Sequence, residues 1–201
     1  MQEESVHFSS GQWQIEGLYR VCDSGKGVVI THPHPLYGGD MFNPVVEAIA
    51  DAYRQKGFAT LRFNFRGSGR STGTHDQGIG ERVDVARAVE FMKRNDADEI
   101  YLSGYSFGSY VNAMAMQTDL TVAGMTMVAP PVAFIEFADD LRLPQLSTVV
   151  VGERDEFAPP GMIRPLLEQW NPHARMSIIH DADHFFFGFL DEVTRRLAEH
   201  V

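Results

Sequence analysis

Cysteine is nearly absent. Cys22 stands alone among 201 residues, so no disulfide can form within the chain, and a reducing cytoplasm is the expected setting. Long apolar runs are missing too: none approaches the roughly 18 to 20 residues that a membrane-spanning helix needs. The opening stretch MQEESVHF has neither the basic start nor the apolar run of a signal peptide. Positive charge is scarce. The 17 Lys and Arg face 27 Asp and Glu, and the resulting net charge of −10 argues against nucleic acid or an anionic membrane as partner, since both require a basic face. There is no internal repeat, low-complexity run or linker. With 44% hydrophobic residues, the chain has material for one sizeable core, and residues 1–201 are expected to form a single domain.

What is present is an alternation of strand and helix signals. Val6-His7-Phe8, a turn at Ser9-Ser10-Gly11 and residues 13–21 predict an antiparallel hairpin. Strands are expected over 28–31, 58–65, 99–103, 121–128, 148–151 and 176–179. Helices are expected over 45–56, 81–94, 110–116, 160–170 and 185–200, with a short amphipathic segment at 132–141. Asn43-Pro44 supplies an N-cap and a first-turn proline for the first helix, and Gly57 stops it. Val83, Ala86, Ala88, Val89 and Met92 place an apolar stripe on the second. Strands separated by helices of ten or more residues imply right-handed crossovers and a mostly parallel sheet with helices on both faces.

One junction carries chemistry. Between the strand at 99–103 and the helix at 110–116 lies Gly104-Tyr105-Ser106-Phe107-Gly108, a G-x-S-x-G turn in the strand-turn-helix context of a nucleophile elbow. Such a turn holds the Ser106 hydroxyl at its tip and aims the Phe107 N–H, at a helix N-terminus, where an oxyanion would form. A serine needs a base, and the base needs an orienting acid, following in the order Ser, acid, His on this architecture. Gly152-Glu153-Arg154-Asp155 runs out of one strand and offers Asp155, with Glu153 and Glu156 as alternatives. His180-Asp181-Ala182-Asp183-His184 runs out of the last and offers His184, with His180 as alternative at the strand end, where a side chain is expected to be packed. In a parallel sheet these loops share the carboxyl edge and can converge.

With these residues in place, the chain resembles the α/β-hydrolase superfamily, and within it the small lidless bacterial serine hydrolases whose first loop reads H-P-H-P-x-Y-G-G. The matching stretches are His32-Pro33-His34-Pro35-Leu36-Tyr37-Gly38-Gly39, Arg62 through Gly69, the elbow, Gly152 through Asp155, and Ala182 through Phe186. The resemblance implies a three-layer α/β fold with no cap domain and a triad of Ser106, Asp155 and His184. It also implies a second oxyanion donor in the first loop. Pro33 and Pro35 have no N–H, which makes His34 the first choice, with Leu36 or Tyr37 in reserve. Asn64 stands where many members carry Asp, and a structural role is expected of it.

The activity expected is hydrolysis of a small carboxylic ester, with no metal or organic cofactor. Thioesterase, peptidase and lactone hydrolase activity, or a non-catalytic binding module, are the alternatives. His32-x-His34 has the spacing of a metal-binding pair, but a metallohydrolase of that type needs Asp and His where Leu36 and Tyr37 stand. Gly67, Gly69 and Gly73 follow a strand without opening a helix, so they suit a turn better than a dinucleotide loop. Residues 131–147 leave room for one short helix and no lid. The site is therefore expected to be an open cleft rimmed by Tyr37, Phe134, Phe157 and Phe185, with Phe107 and Phe137 as further rim candidates.

Overall fold

The short β-favouring runs pair into one sheet and the longer helical stretches cover it. The structure, a computed structural model, describes residues 2–95 and 97–201. In chain order these form β1 (Glu4–Ser10), β2 (Trp13–Arg20), β3 (Lys26–Thr31), α1 (Pro44–Gln55), β4 (Ala59–Phe63), α2 (Ile79–Arg94), β5 (Glu99–Tyr105), α3 (Phe107–Ala115), β6 (Gly124–Val128), β7 (Leu146–Gly152), α4 (Pro160–Trp170), β8 (Arg175–Ile179) and α5 (Leu190–Ala198). The sheet order is β1-β2-β4-β3-β5-β6-β7-β8. β1 and β2 are an antiparallel hairpin, β2 joins β4 antiparallel, and every other pairing is parallel. Every residue of β4 and β6, and all of β3 after Lys26, is buried, as strands covered on both faces must be.

Crossover handedness sorts the helices. The step from β3 through α1 to β4 runs one way along the sheet, whereas those through α2, α3 and α4 run the other. Right-handed connections therefore put α1 on one face and α2, α3 and α4 on the opposite one. α5 packs against α1, and α2 against α3. The reversal falls between β3 and β5, which pair through Ile30–Ser103 and Thr31–Gly104. Beyond the carboxyl ends of these two strands lies the crevice where open α/β sheets bind ligands.

Several boundaries depart from the sequence reading. Ser9 and Ser10 belong to β1, so the hairpin turns at Gly11-Gln12, with Gly11 at φ 61°. β4 stops at Phe63, and β6 begins only at Gly124. On α2 the buried stripe is Val85, Ala88, Val89 and Met92, while Val83 is exposed. The 132–141 segment forms turns rather than a helix. α5 begins at Leu190 instead of 185, because Phe186 (φ 54°) and Gly188 (φ 80°) have left-handed backbones that no helix accommodates. Asn64 does have a structural place: its Oδ1 accepts from Met41 N (2.8 Å) and its Nδ2 donates to Glu16 (2.7 Å), tying the turn after β4 to β2.

Candidate active site

Ser106 occupies the single residue between β5 and α3, at φ 53° and ψ −120°. The two flanking glycines are there because strand and helix pass too closely for side chains. A Cβ on Gly104 would lie 2.6 Å from the Gly108 carbonyl carbon, and one on Gly108 would lie 2.5 Å from the Thr31 carbonyl oxygen. Ser106 N donates to Val128 O (2.9 Å), pinning the turn to β6. Phe107 is the first residue of α3, and its N–H has no acceptor among the described residues, as expected at a helix start.

The candidate acid and base come from the loops after β7 and β8. His184 Nε2 lies 3.0 Å from Ser106 Oγ, and its Nδ1 lies 2.8 and 3.0 Å from the two Asp155 oxygens. All three side chains are buried. Asp155 is oriented from behind, its Oδ1 accepting from Phe157 N (2.8 Å) and Ala158 N (2.7 Å). Gly152 lets the two loops meet, since a Cβ there would stand 2.4 Å from Ala182 O. A residue the sequence reading passed over holds the base in place: Tyr105 OH donates to His184 O (2.9 Å). Burial, with Asp155 and Asp183 nearby, raises the Tyr105 pKa, so its hydroxyl keeps the proton it donates. The alternatives stand apart. His180 is exposed rather than packed and pairs with Glu153, which also accepts from Asp181 N; Glu156 is exposed.

The loop after β3 supplies the opposite wall. His32 is fully buried and both ring nitrogens are used by main chain: Nδ1 donates to Pro33 O (2.6 Å), and Nε2 accepts from Phe65 N (3.0 Å). Burial pulls its pKa down to about 4. It has no lone pair left for a metal, so the paired-histidine metal reading fails on geometry. His34 caps the single turn Pro35–Tyr37, its Nδ1 accepting from Leu36 N (3.2 Å). Tyr37 N donates to His34 O (3.1 Å). Both reserve donors are thus engaged within the loop, while the His34 N–H has no acceptor among the described residues. The His34 ring lies against Phe107 (4.7 Å) and His75 (4.7 Å), and burial together with His75 lowers its pKa.

Glu81 anchors this wall, although the sequence reading gave it no role. Fully buried at the start of α2, it accepts from Asp76 N and Gly78 N (each 2.8 Å) and faces His75 Nδ1 at 3.0 Å. Glu81 lies three residues after Gly78, at the helix start, and that spacing is the usable signal.

The residues expected along the rim differ in exposure. Tyr37 (88%), Phe134 (67%) and Phe185 (51%) are exposed, and Phe157 is half-buried against His184. Phe107 and Phe137 are buried instead, Phe137 packing on Trp170 and Tyr110. A surface groove of about 530 Å³ between β1 and α2, lined by residues including Phe8, Arg87 and Phe91, contains none of the site residues.

A family model described as alpha/beta hydrolase domain matches residues 27–191. An alpha-beta serine hydrolase homologue from Coxiella burnetii is 33% identical, with 99% of this chain and 97% of that chain covered and a TM-score of 0.90. A serine hydrolase without a lid from Xanthomonas campestris is 27% identical, with 97% and 94% covered and a TM-score of 0.85. A Rickettsia prowazekii protein is 28% identical over 98% of this chain and 87% of its own length.

Proposed function

The chain belongs to the alpha/beta hydrolase domain family and has the lidless serine hydrolase fold, and on that premise we propose that it hydrolyses small carboxylic esters through an acyl-enzyme on Ser106. The hydrogen-bonded series Ser106–His184–Asp155 is the observation that carries this reading. His184 Nε2 takes the hydroxyl proton as Ser106 Oγ attacks the ester carbonyl carbon. Asp155 accepts from Nδ1–H and stabilises the imidazolium that results. The oxyanion accepts from the N–H groups of Phe107 and His34, which have no competing acceptor among the described residues. When the tetrahedral adduct collapses, the C–O bond breaks and Nε2–H gives its proton to the departing alkoxide. A water then loses a proton to Nε2, attacks the acyl carbonyl, and the carboxylic acid leaves as the proton returns to Ser106. No step calls for a cofactor.

The absence of a lid favours small esters over long acyl chains, which need a covered channel to be gripped. The test is a fluorophosphonate probe with mass-spectrometric site mapping, run beside hydrolysis of p-nitrophenyl acetate. Labelling confined to Ser106, with hydrolysis lost in Ser106→Ala and unchanged by EDTA, is the expected result. Folded protein that takes no label would overturn the reading in favour of a binding module.

A further inference from the structure

Resting on the reading just given, we infer that the alcohol half of the substrate ester carries a planar aromatic ring, received by a corner of phenylalanines built onto the catalytic imidazole. Phe157 stacks on His184 (4.6 Å, 29°) and Phe134 stacks on Phe157 (4.5 Å, 26°), forming one wall. Phe185 and Phe187 stack on each other (5.9 Å, 28°) as the second. The walls meet nearly at right angles, with Phe185 edge-on to Phe157 (6.3 Å, 72°) and to His184 (5.6 Å, 85°). A flat ring set in this corner stacks on one wall and meets the other edge-to-face, the two arrangements aromatic pairs prefer.

Core packing does not account for these rings. Phe134, Phe185 and Phe187 (76%) are all more than half exposed, and a contiguous exposed apolar patch beside a reactive group marks a binding surface. The corner is also held in place. Ala133 N donates to Phe157 O (3.0 Å), Phe157 N to Asp155, and Phe185 N to Asp183 (3.0 Å). Phe186, fully buried at φ 54°, sends its neighbours on either side out to solvent.

Position decides which half of the ester it serves. The leaving alcohol takes its proton from His184 Nε2, so it must lie beside the imidazole on which both walls converge. The carbonyl oxygen turns away from it, toward Phe107 and His34. Because the walls cover a ring's face and edge without enclosing it, they distinguish a flat ring from a puckered one of equal size.

The test compares two matched pairs whose rings sit too far from the carbonyl to alter its reactivity: 2-phenylethyl against 2-cyclohexylethyl acetate, and ethyl 3-phenylpropanoate against ethyl 3-cyclohexylpropanoate. In kcat/KM the phenyl member of the alcohol pair should be favoured about three- to tenfold, the scale of one aromatic pair, and the acyl pair should differ less than about twofold. Phe134→Leu and Phe187→Leu, both at exposed positions, should bring the alcohol-pair ratio toward unity while fluorophosphonate still labels Ser106. Equal rates within the alcohol pair, a preference on the acyl side instead, or a ratio untouched by both substitutions overturns the inference and leaves the ester hydrolase standing. Failure to turn over any of the four esters, with no labelling, overturns the ester hydrolase reading itself.

Discussion

At the scale of single residues, hydrogen-bond partners separate the groups placed to react from those that only resemble them in sequence. Ser106→Ala and His184→Ala should each lower kcat by on the order of 10⁶, and Asp155→Asn by about 10⁴. His180→Ala, Glu153→Gln and Glu156→Gln should stay near wild type, because His180 and Glu153 bind each other at the surface. Steady-state rates on one ester decide all six; a collapse in Glu153→Gln with Asp155→Asn intact would reassign the acid. His32 makes a different prediction. Its folded pKa of about 4 lies below the ordinary 6.5, so between these values the unfolded chain binds the extra proton. Stability from the neutral ring is complete above about pH 6.5 and drains away as pH falls toward 4, by about 3 kcal/mol in all. Urea unfolding at pH 7 and pH 4.5 measures it, and His32→Leu should flatten this part of the acid limb. That Asp155 and His184 would meet at Ser106 was legible beforehand because each stands just past a strand end. The Tyr105 contact was not, since it reaches across 79 positions of sequence, whereas Glu81 left only its spacing from Gly78 as a signal.

At the scale of elements, what could be read depended on whether the signal was local. Asn43-Pro44 announced α1 because a cap and a first-turn proline act within one turn, and Asn43 Oδ1 does accept from Val45 N (2.9 Å). The elbow was equally local. The run Phe185-Phe186-Phe187-Gly188-Phe189 misled because its apolar character suggested a helix, when alternate rings go inward and outward on a left-handed kink. The elbow gives the sharpest prediction here. Gly108→Ala forces a methyl to 2.5 Å from a main-chain oxygen of β3, an atom the sheet does not let move. Destabilisation of about 2 kcal/mol or more is expected, read from the denaturation midpoint. Gly161→Ala, where a Cβ meets nothing within 4 Å, serves as the control.

At the scale of the whole molecule, the reversal of crossover direction between β3 and β5 gathers the elbow and the first loop at one sheet edge, and the loops after β7 and β8 close on them from the side. The layered α/β arrangement was legible because it follows from alternation alone; Phe134, Phe157 and Phe185 were expected along one rim, but their stacking onto His184 was not legible, because no periodicity links positions 134, 157 and 185. No helix among the described residues is long and apolar enough to cross a membrane. Residues 129–145 pass between β6 and β7 without a helix, so this segment supplies no helical cap to wrap an acyl chain. On p-nitrophenyl esters, kcat/KM should peak at about two to four acyl carbons and then level or fall, since each further methylene gains its roughly fourfold only under protein cover. A constant that keeps climbing to eight or more carbons would contradict an uncovered site.

The backbone of Ser106 has a last consequence, visible in proteins that no longer react at all. Its φ of 53° with ψ −120° is a conformation side-chain-bearing residues occupy at a penalty on the order of 1–3 kcal/mol, and which glycine adopts freely. Two inactive variants should therefore melt in a telling order: Ser106→Gly above Ser106→Ala, although alanine is ordinarily the more stabilising of the two. Reversal of that order in paired thermal scans would mean that the turn relaxes once the hydroxyl is gone. If the order holds, the residue at 106 is kept against the conformational preference of the fold around it, and selection for chemistry has set thermal resilience below what this backbone could reach.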